Sequence, residues 1–586
     1  MTGTLHDRAA ALGVATSYHD IAGTLHHADD AVIEIVVGIL EADRTAAQST
    51  RRLTPALHHA SDGSIPVDAV VEHATIDIGE GPMRMSIVRN GEQDSIQLPS
   101  ELPHGCHVVE FTTDRGPGDT ILVVAPPSMP RNAALAGRSA LFAPTYALWE
   151  RDDPLPSFAH LHRLARDLKR SGVDVVSTLP LYASFLDDPF DPSPYSPVSR
   201  LHWNELYLDD ADLPDLPIPE QGETIDWRRL AERRRRQLME ATRRLDAAGR
   251  DQLTAFTTAH PDVGAYARFR AGREAGGDLQ VEESYVLAQY LADRQLQAIH
   301  DDDRAAALAL DLPIGSHPDG YETWADPTMF ATGVTVGAPP DAFFAEGQSW
   351  GFPPPLPAAM TASGQRTWRQ LIARVGRHAD VLRIDHAMAV ERLWWVPDGC
   401  SPAQGVYVHY PREEIVAVIA ASAAAADLTI VGEDLGTVPT AVAEVFERWD
   451  LLGMYEEQFH LDADPLPHIP PRTVAGIRTH DMDPIAEVVA ARDTSGYRAR
   501  LGAAHQCAID ARWDEVLDQM LLRLTKSEAY LVMIDLDDLI GETRPHNLPG
   551  RVVPGLWSRR LPQPLSEILS DPEVARRLDI LRRDTA

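Results

Sequence analysis

Three apolar runs in the second half of the chain each end in an acid. They are Val381-Leu382-Arg383-Ile384-Asp385-His386, Leu428-Thr429-Ile430-Val431-Gly432-Glu433-Asp434 and Thr473-Val474-Ala475-Gly476-Ile477-Arg478-Thr479-His480-Asp481. Positions 385, 433 and 481 are 48 residues apart and again 48 apart. That period suits successive β/α units carrying insertions. In a (β/α)₈ barrel the C-terminal ends of all strands open on one cleft, so acids placed there converge. Converging carboxyls are the equipment for breaking and remaking a glycosidic bond.

The chain has 586 residues, which exceeds one ordinary core, so two or three folding units are expected. A net charge of -34 argues against a nucleic-acid partner and against an anionic membrane surface. A neutral substrate such as a sugar stays compatible. Cys106, Cys400 and Cys507 are too few and too far apart for a disulfide framework or a thiolate metal site. They suit a reducing compartment. The first residues lack the pattern of a signal peptide. The apolar run from Ala31 to Leu40 contains Glu34 and is too short to span a bilayer. A soluble, cytoplasmic protein is expected.

Residues 1 to about 50 read as helix. From about 60 to 127, short alternating or β-branched runs separated by Gly, Asn, Pro and Asp turns predict a small antiparallel sandwich. Ala125-Pro-Pro-Ser-Met-Pro reads as a linker. From about 135 onward, strand-like and helical stretches alternate, as in β/α architecture. Val173–Pro180 and Ala305–Asp311 are two of the strands, and about 226 to 300 is helical and charged. Within it, Arg233 to Arg236 reads as a solvated helix face with acidic neighbours rather than a phosphate patch.

Arg383 points to the same side of its strand as Asp385. An adjacent cation favours the ionised carboxylate and lowers its pKa, which suits a nucleophile. A structural Asp–Arg pair is the alternative. Glu433 suits a general acid if burial raises its pKa, and otherwise reads as a capping or loop carboxylate. Asp434 alternates to the other face and reads as structural. His480-Asp481 suits a grip on sugar hydroxyls, or is an exposed loop pair. Residues 336–354 carry prolines, glycines, Phe343, Phe344 and Trp350, and read as a long ordered loop over one barrel face. Those aromatics either line sugar subsites or plug the loop itself. Tyr195, in Pro192-Ser-Pro-Tyr-Ser-Pro, is a second candidate platform. No nucleophile elbow, Walker A loop, Rossmann fingerprint or H-E-x-x-H occurs. Asp535-Leu-Asp-Asp-Leu-Ile-Gly lacks the alternating ligands of a calcium loop.

In chain order, Ser193-Pro-Tyr195-Ser, Asp311-Leu-Pro-Ile, Val336-Gly-Ala-Pro-Pro-Asp341 with Gly347-Gln348-Ser-Trp350-Gly, Arg383-Ile-Asp385-His386, Val431-Gly-Glu433-Asp-Leu-Gly-Thr-Val, Thr479-His480-Asp481 and Asn547-Leu-Pro-Gly follow one pattern. Together they resemble the amylomaltases, the 4-α-glucanotransferases of glycoside hydrolase family 77. The likeness covers about 130 to 560, and the N-terminal part resembles the extension of longer bacterial members.

The resemblance implies an α/β fold: a (β/α)₈ TIM barrel with helical insertions over 131–586, preceded by a helical segment plus β-sandwich over 1–130. It implies Asp385 as nucleophile, Glu433 as general acid/base and Asp481 as transition-state stabiliser. Arg383, His386 and His480 would hold sugar hydroxyls and the nucleophile. Tyr195, Asp311, Asp341, Gln348 and Trp350 would lie at or near substrate subsites. The implied reaction is a retaining double displacement between maltooligosaccharide donor and acceptor, which needs the two reacting carboxyls about 5–5.5 Å apart. No cofactor or metal is implied, and the chain would act as a monomer or homodimer. An α-glucan hydrolase, a transferase with a specialised acceptor and a non-catalytic glucan-binding homologue stay compatible with the same residues. The chain departs from the family pattern at Ala387-Met-Ala-Val, at Leu451–Phe459, at Met482-Asp-Pro and at Leu556-Trp557.

Overall fold

Eight short parallel strands close into a barrel in chain order. They are β1 (Arg138–Phe142), β2 (Val175–Ser177), β3 (Ala307–Leu312), β4 (Val381–Ile384), β5 (Thr429–Gly432), β6 (Gly453–Glu456), β7 (Thr473–Gly476) and β8 (Leu531–Asp535). Strand β8 pairs with β1, and a parallel bridge between Val431 and Leu452 joins β5 to β6. The computed structural model describes residues 4–583 apart from 20–22, 50, 51, 80, 91, 92, 189, 341–343, 437, 492, 493, 495, 500, 502–510 and 552.

Strand alternation decides what faces the lumen. Ala140, Val175, Ala309, Val381, Val431, Met454 and Val474 form one small apolar cluster inside the barrel. Two residues further along β3 to β6, the same face presents Asp311, Arg383, Glu433 and Glu456. An apolar plug therefore lies beneath a charged layer, and that layer sits at the C-terminal ends of the strands. The opposite faces, with Leu141, Val176, Leu310, Leu382, Ile384, Ile430 and Val532, bury into the main core against the helices.

The helix Phe158–Arg170 shows how the outer layer forms. Ser157 caps it by accepting from the His160 N–H, and Leu161, Leu164, Ala165 and Leu168 recur on one face and are buried. Lys169 and Arg170 end it, where the helix dipole favours cations.

Between β2 and β3 run four helices, Trp227–Arg244, Ala247–Ala259, Pro261–Ala275 and Leu279–His300. The arginine run inside the first corrects the expectation of a solvated face. Arg233 and Arg234 are buried. Both bind the Asp210 carboxylate, and Arg234 also donates to the Leu208 carbonyl. Arg235 reaches Glu274. The cations are spent on structure, not on a phosphate patch.

The described residues of 336–354 are anchored by regular structure. Val334–Ala338 and Gln348–Ser349 pair as a hairpin in a four-stranded antiparallel sheet with Arg392–Pro397 and Val406–His409. The sheet is built from the connections after β3 and β4.

The N-terminal region departs from a single helical segment. Helices Leu5–Ala11 and Asp30–Ser49 flank a hairpin of Ser17–His19 with Leu25–His27. Tyr18 of that hairpin packs edge-on against Trp394 and Tyr407 of the four-stranded sheet, a tertiary contact that overrides local helix preference. Asp43 on the second helix accepts from the N–H groups of Ala358 and Ala359 and so caps the helix Pro357–Ala362.

Beyond it, a five-stranded and a three-stranded sheet share a core that includes Ile65, Val71, Ile76, Ile96, Val109, Phe111 and Leu122. The pairs are antiparallel except for Gly116–Val124 with Leu57–His59. The outer face of the larger sheet, through Ile121 and Val123, packs on Ala417, Val418 and Ala421 of the helix Arg412–Ala425. Small side chains on that alanine-rich helix let the strands come close. Among the described residues no helix is long and apolar enough to cross a membrane.

Candidate active site

Strand pairing continues one residue past β4 and β5. The Asp385 N–H donates to the Leu312 carbonyl at 3.0 Å, and the Glu433 N–H to the Ile384 carbonyl at 2.9 Å. The backbones of both acids are thus fixed by the barrel itself. Arg383 Nη1 donates to Asp311 Oδ1 and Oδ2, at 2.8 and 2.9 Å, and to Asp385 Oδ1 at 3.0 Å. Tyr195 donates its hydroxyl proton to Asp311 Oδ2 at 2.6 Å. One chain of hydrogen bonds therefore runs from Tyr195 through Asp311 and Arg383 to Asp385.

Glu433 is held differently. Its Oε2 accepts from the His386 N–H at 2.9 Å and its Oε1 from the Leu435 N–H at 2.7 Å. His386 adopts a left-handed backbone with φ 45°, unusual for a residue with a Cβ. That turn aims its amide at Glu433. Asp434 accepts from the Met454 N–H at 2.8 Å, a bond between strand ends that fits its structural reading.

Asp481 stands more open, with its side chain 41 % exposed. Asn547 donates Nδ2 to its Oδ1 at 2.7 Å, and His480 Nε2 lies 3.3 Å from the same oxygen. The His480 ring is stacked on Tyr195 at 5.1 Å, and Trp557 leans on both rings at 5.8 Å. Phe142 of β1 lies on His480 at 6.1 Å. Tyr195 thus links Asp311 on one side to the Asp481 loop on the other.

Across the cleft, Trp350 meets His386 edge-on at 5.1 Å, and its indole N–H points at Gln348 Oε1 at 3.4 Å. Phe344 reaches the far rim: a Cβ on Gly550 would stand 3.2 Å from its ring. The loop from the β3 side therefore meets the segment after β8 that carries Asn547.

Burial governs the titration of these groups. It pushes Glu433 up, against the pull of Arg383 and of the two amides. It also pushes Asp385 up against the pull of the Arg383 guanidinium, while Asp311, Glu433 and Asp481 add to the rise, and the two acids titrate as a pair. This corrects the expectation that Arg383 sets a lowered value there. The cation does pull in that direction, but desolvation and three acidic neighbours exceed it. Burial pushes His386 down to about 4 and lowers His480 as well, so both rings are neutral near pH 7. Tyr195 is raised well above the ordinary phenol range by burial and stays a donor.

Of the residues singled out from sequence, Tyr195, Asp311, Arg383, Asp385, His386, Glu433, His480 and Asp481 meet at one cleft, with Gln348 and Trp350 on its wall. Asp341 and Phe343 lie outside the described residues. Sequence reasoning gave no role to Asn547 or Trp557, although both lie in segments it had noted. Phe459, at the end of a segment that departs from the family pattern, is 45 % exposed just after β6.

The profile of the glycoside hydrolase family 77, described as 4-alpha-glucanotransferase, matches residues 145–283 and 274–566. The chain belongs to this family. It is 29 % identical over 592 residues to the 4-alpha-glucanotransferase of Mycobacterium tuberculosis, covering 84 % of this chain and 81 % of that one. With the 4-alpha-glucanotransferase of Haemophilus influenzae it is 23 % identical, covering 97 % of each. Its fold matches the crystal structure of amylomaltase from Corynebacterium glutamicum with a TM-score of 0.87, at 21 % identity and over 99 % of both chains. This 4-α-glucanotransferase is an enzyme that moves glucan segments from one chain to another.

Proposed function

We propose that the glucanotransferase reaction of this chain is a retaining double displacement in which Asp385 is the nucleophile, Glu433 the general acid/base and Asp481 the transition-state stabiliser. The observation that carries the assignment is the unequal wiring of the two inner acids. Arg383 bonds directly to Asp385, whereas Glu433 has main-chain amides for partners. Two neighbouring carboxyls titrate as a pair, and a pair holding one proton places it where the charge is less favoured. The direct guanidinium contact favours the state of the pair in which Asp385 carries the charge and Glu433 the proton.

Asp385 attacks the anomeric carbon while Glu433 protonates the departing glycosidic oxygen, leaving a β-linked glycosyl-enzyme and a fragment with a new non-reducing end. Glu433 then takes the proton from the 4-hydroxyl of an acceptor maltooligosaccharide, and the α-1,4 bond re-forms as Asp385 leaves. Proton transfer of this kind contributes typically about 10²–10⁴-fold in rate. Asp481 lends negative charge to the oxocarbenium-like sugar, held in place by Asn547. Neutral His386 and His480 both donate to and accept from sugar hydroxyls. Trp350 and Phe459 offer ring faces to pyranose rings, and the buried Trp557 backs Tyr195 and His480. Transfer prevails over hydrolysis when acceptor reaches the intermediate before water, and the Phe344–Gly550 closure of the loop supports that order.

Incubation with maltotriose is the test. The expected result is glucose together with a ladder of longer maltodextrins, while the number of reducing ends stays constant. Reducing ends that rise as maltotriose disappears would mean hydrolysis instead, and an unchanged substrate would mean a binding protein.

A further inference from the structure

Trp557 holds its backbone in the left-handed region, at φ 54°, which a residue with a Cβ adopts only against a steric cost. Such a conformation persists where the surroundings over-determine it. Here a closed circuit of four buried residues does so. The Trp557 N–H donates to the His546 carbonyl at 3.1 Å. His546 Nδ1 is hydrogen-bonded to the Tyr146 hydroxyl at 2.8 Å, and Asp537 Oδ2 stands 2.9 Å from its Nε2. Tyr146 meets Trp227 edge-on at 6.0 Å. Trp227 Nε1 then donates to the Trp557 carbonyl at 3.0 Å. The circuit ties together the segment after β1, the first helix of the insertion and the chain after β8.

This turn carries the support of Asp481. Two side chains meet the Asp481 carboxylate, Asn547 and His480. Each leans on Trp557 by a separate route. Asn547 follows directly on His546, whose carbonyl takes the Trp557 N–H. His480 has the Trp557 ring 5.8 Å away, and Trp557 lies equally close to Tyr195, on which His480 is stacked. Asp481 itself is half-exposed, and a carboxylate in water has several rotamers open to it. A charge stabilises a transition state best when it is fixed beforehand where the opposite charge develops.

We infer that Trp557 is a positioning residue for the transfer reaction: its ring fixes His480, its main-chain N–H fixes the turn that carries Asn547, and together they set where the Asp481 carboxylate stands. This inference rests on Asp481 as the transition-state stabiliser.

The experiment compares Trp557→Leu, which stays apolar but has no ring, with Trp557→Phe, which keeps one. With maltotriose, Trp557→Leu is expected to lower kcat by about 10- to 100-fold while KM stays within about threefold of the parent, because a misplaced Asp481 weakens the transition state and not ground-state binding. Trp557→Phe keeps a ring against His480 and is expected to recover most of the loss. A parental kcat in Trp557→Leu overturns the inference. So does a KM that rises with kcat unchanged, or an equal loss in both variants.

Tyr146→Phe opens the circuit without leaving a large cavity, so it tests the same claim where Trp557→Leu fails to fold. It is expected to lower kcat by about threefold or more at unchanged KM, and a parental kcat there overturns the inference. A crystal structure of Trp557→Leu, or of Tyr146→Phe in its place, reads the position without catalysis. The Asp481 carboxylate is expected to lie out of reach of Asn547 or of His480, and retention of both contacts at their present distances overturns the inference. Failure of the underlying reading shows separately, as a parental kcat in Asp481→Asn.

Discussion

Asp385→Asn is expected to stop the formation of longer maltodextrins from maltotriose, with kcat lowered on the order of 10⁴-fold or more. The amide matches the carboxyl in size, so packing is preserved, but it is a poor nucleophile toward an anomeric carbon. The loss falls on chemistry because Arg383 keeps its partner: both Asp311 oxygens remain within 2.9 Å of Nη1. The guanidinium is not left as an unpaired buried charge, which would cost about 3–5 kcal/mol. Removing the Asp385 charge also relieves part of the acidic crowding in the lumen. The variant should therefore melt at or above the parent temperature while making no ladder. A ladder at parental rate would rule out Asp385 as the nucleophile.

The second large effect is at Glu433. Glu433→Gln should lower turnover of maltotriose by about 10²–10⁴-fold, the usual worth of a positioned general acid. The glutamine oxygen still accepts one of the two amides from His386 and Leu435, but its NH₂ now faces the other. One satisfied donor becomes unsatisfied, a stability loss of about 1–3 kcal/mol. Activity should depend on the donor in a way that a misfolded protein would not. An activated α-glucosyl donor, whose leaving group departs without a proton, should still glycosylate the enzyme. Azide, which needs no base to attack, should then restore turnover and yield an α-configured glycosyl azide. Equal loss on natural and activated donors, with no azide rescue, would remove Glu433 from the acid/base role.

The barrel was legible because β4, β5 and β7 carry continuous apolar runs that end in acids at equal spacing. Three strands were not. β1 reads Arg-Ser-Ala-Leu-Phe and β6 reads Gly-Met-Tyr-Glu, short and mixed in character. Only the closed sheet reveals that one face of β6 lines the lumen. β8 ends in the Asp535-Leu-Asp-Asp cluster, which looks like a loop until Asp535 and Asp538 are seen pairing with Arg478, and Asp537 with Arg559 and His546.

The rise in the Asp385 pKa was equally hidden. Sequence shows that Arg383 is near, but the size of the desolvation and the presence of Asp311 and Asp481 are tertiary facts. Asn547 and Trp557 were missed as site residues because they reach the cleft from the segment after β8, far from the acids in sequence. The hairpin 17–27 was missed because its fixing contacts, Trp394 and Tyr407, lie on a distant sheet.

Mass spectrometry of Glu433→Gln after incubation with an activated α-glucosyl donor, without azide, bears most directly on the proposed roles. A double displacement through Asp385 requires one hexosyl adduct on the proteolytic peptide that contains residue 385, discharged when azide is added. An adduct on the peptide of Asp481 or Asp311 instead, or release of a β-configured azide with no adduct at any point, would contradict it.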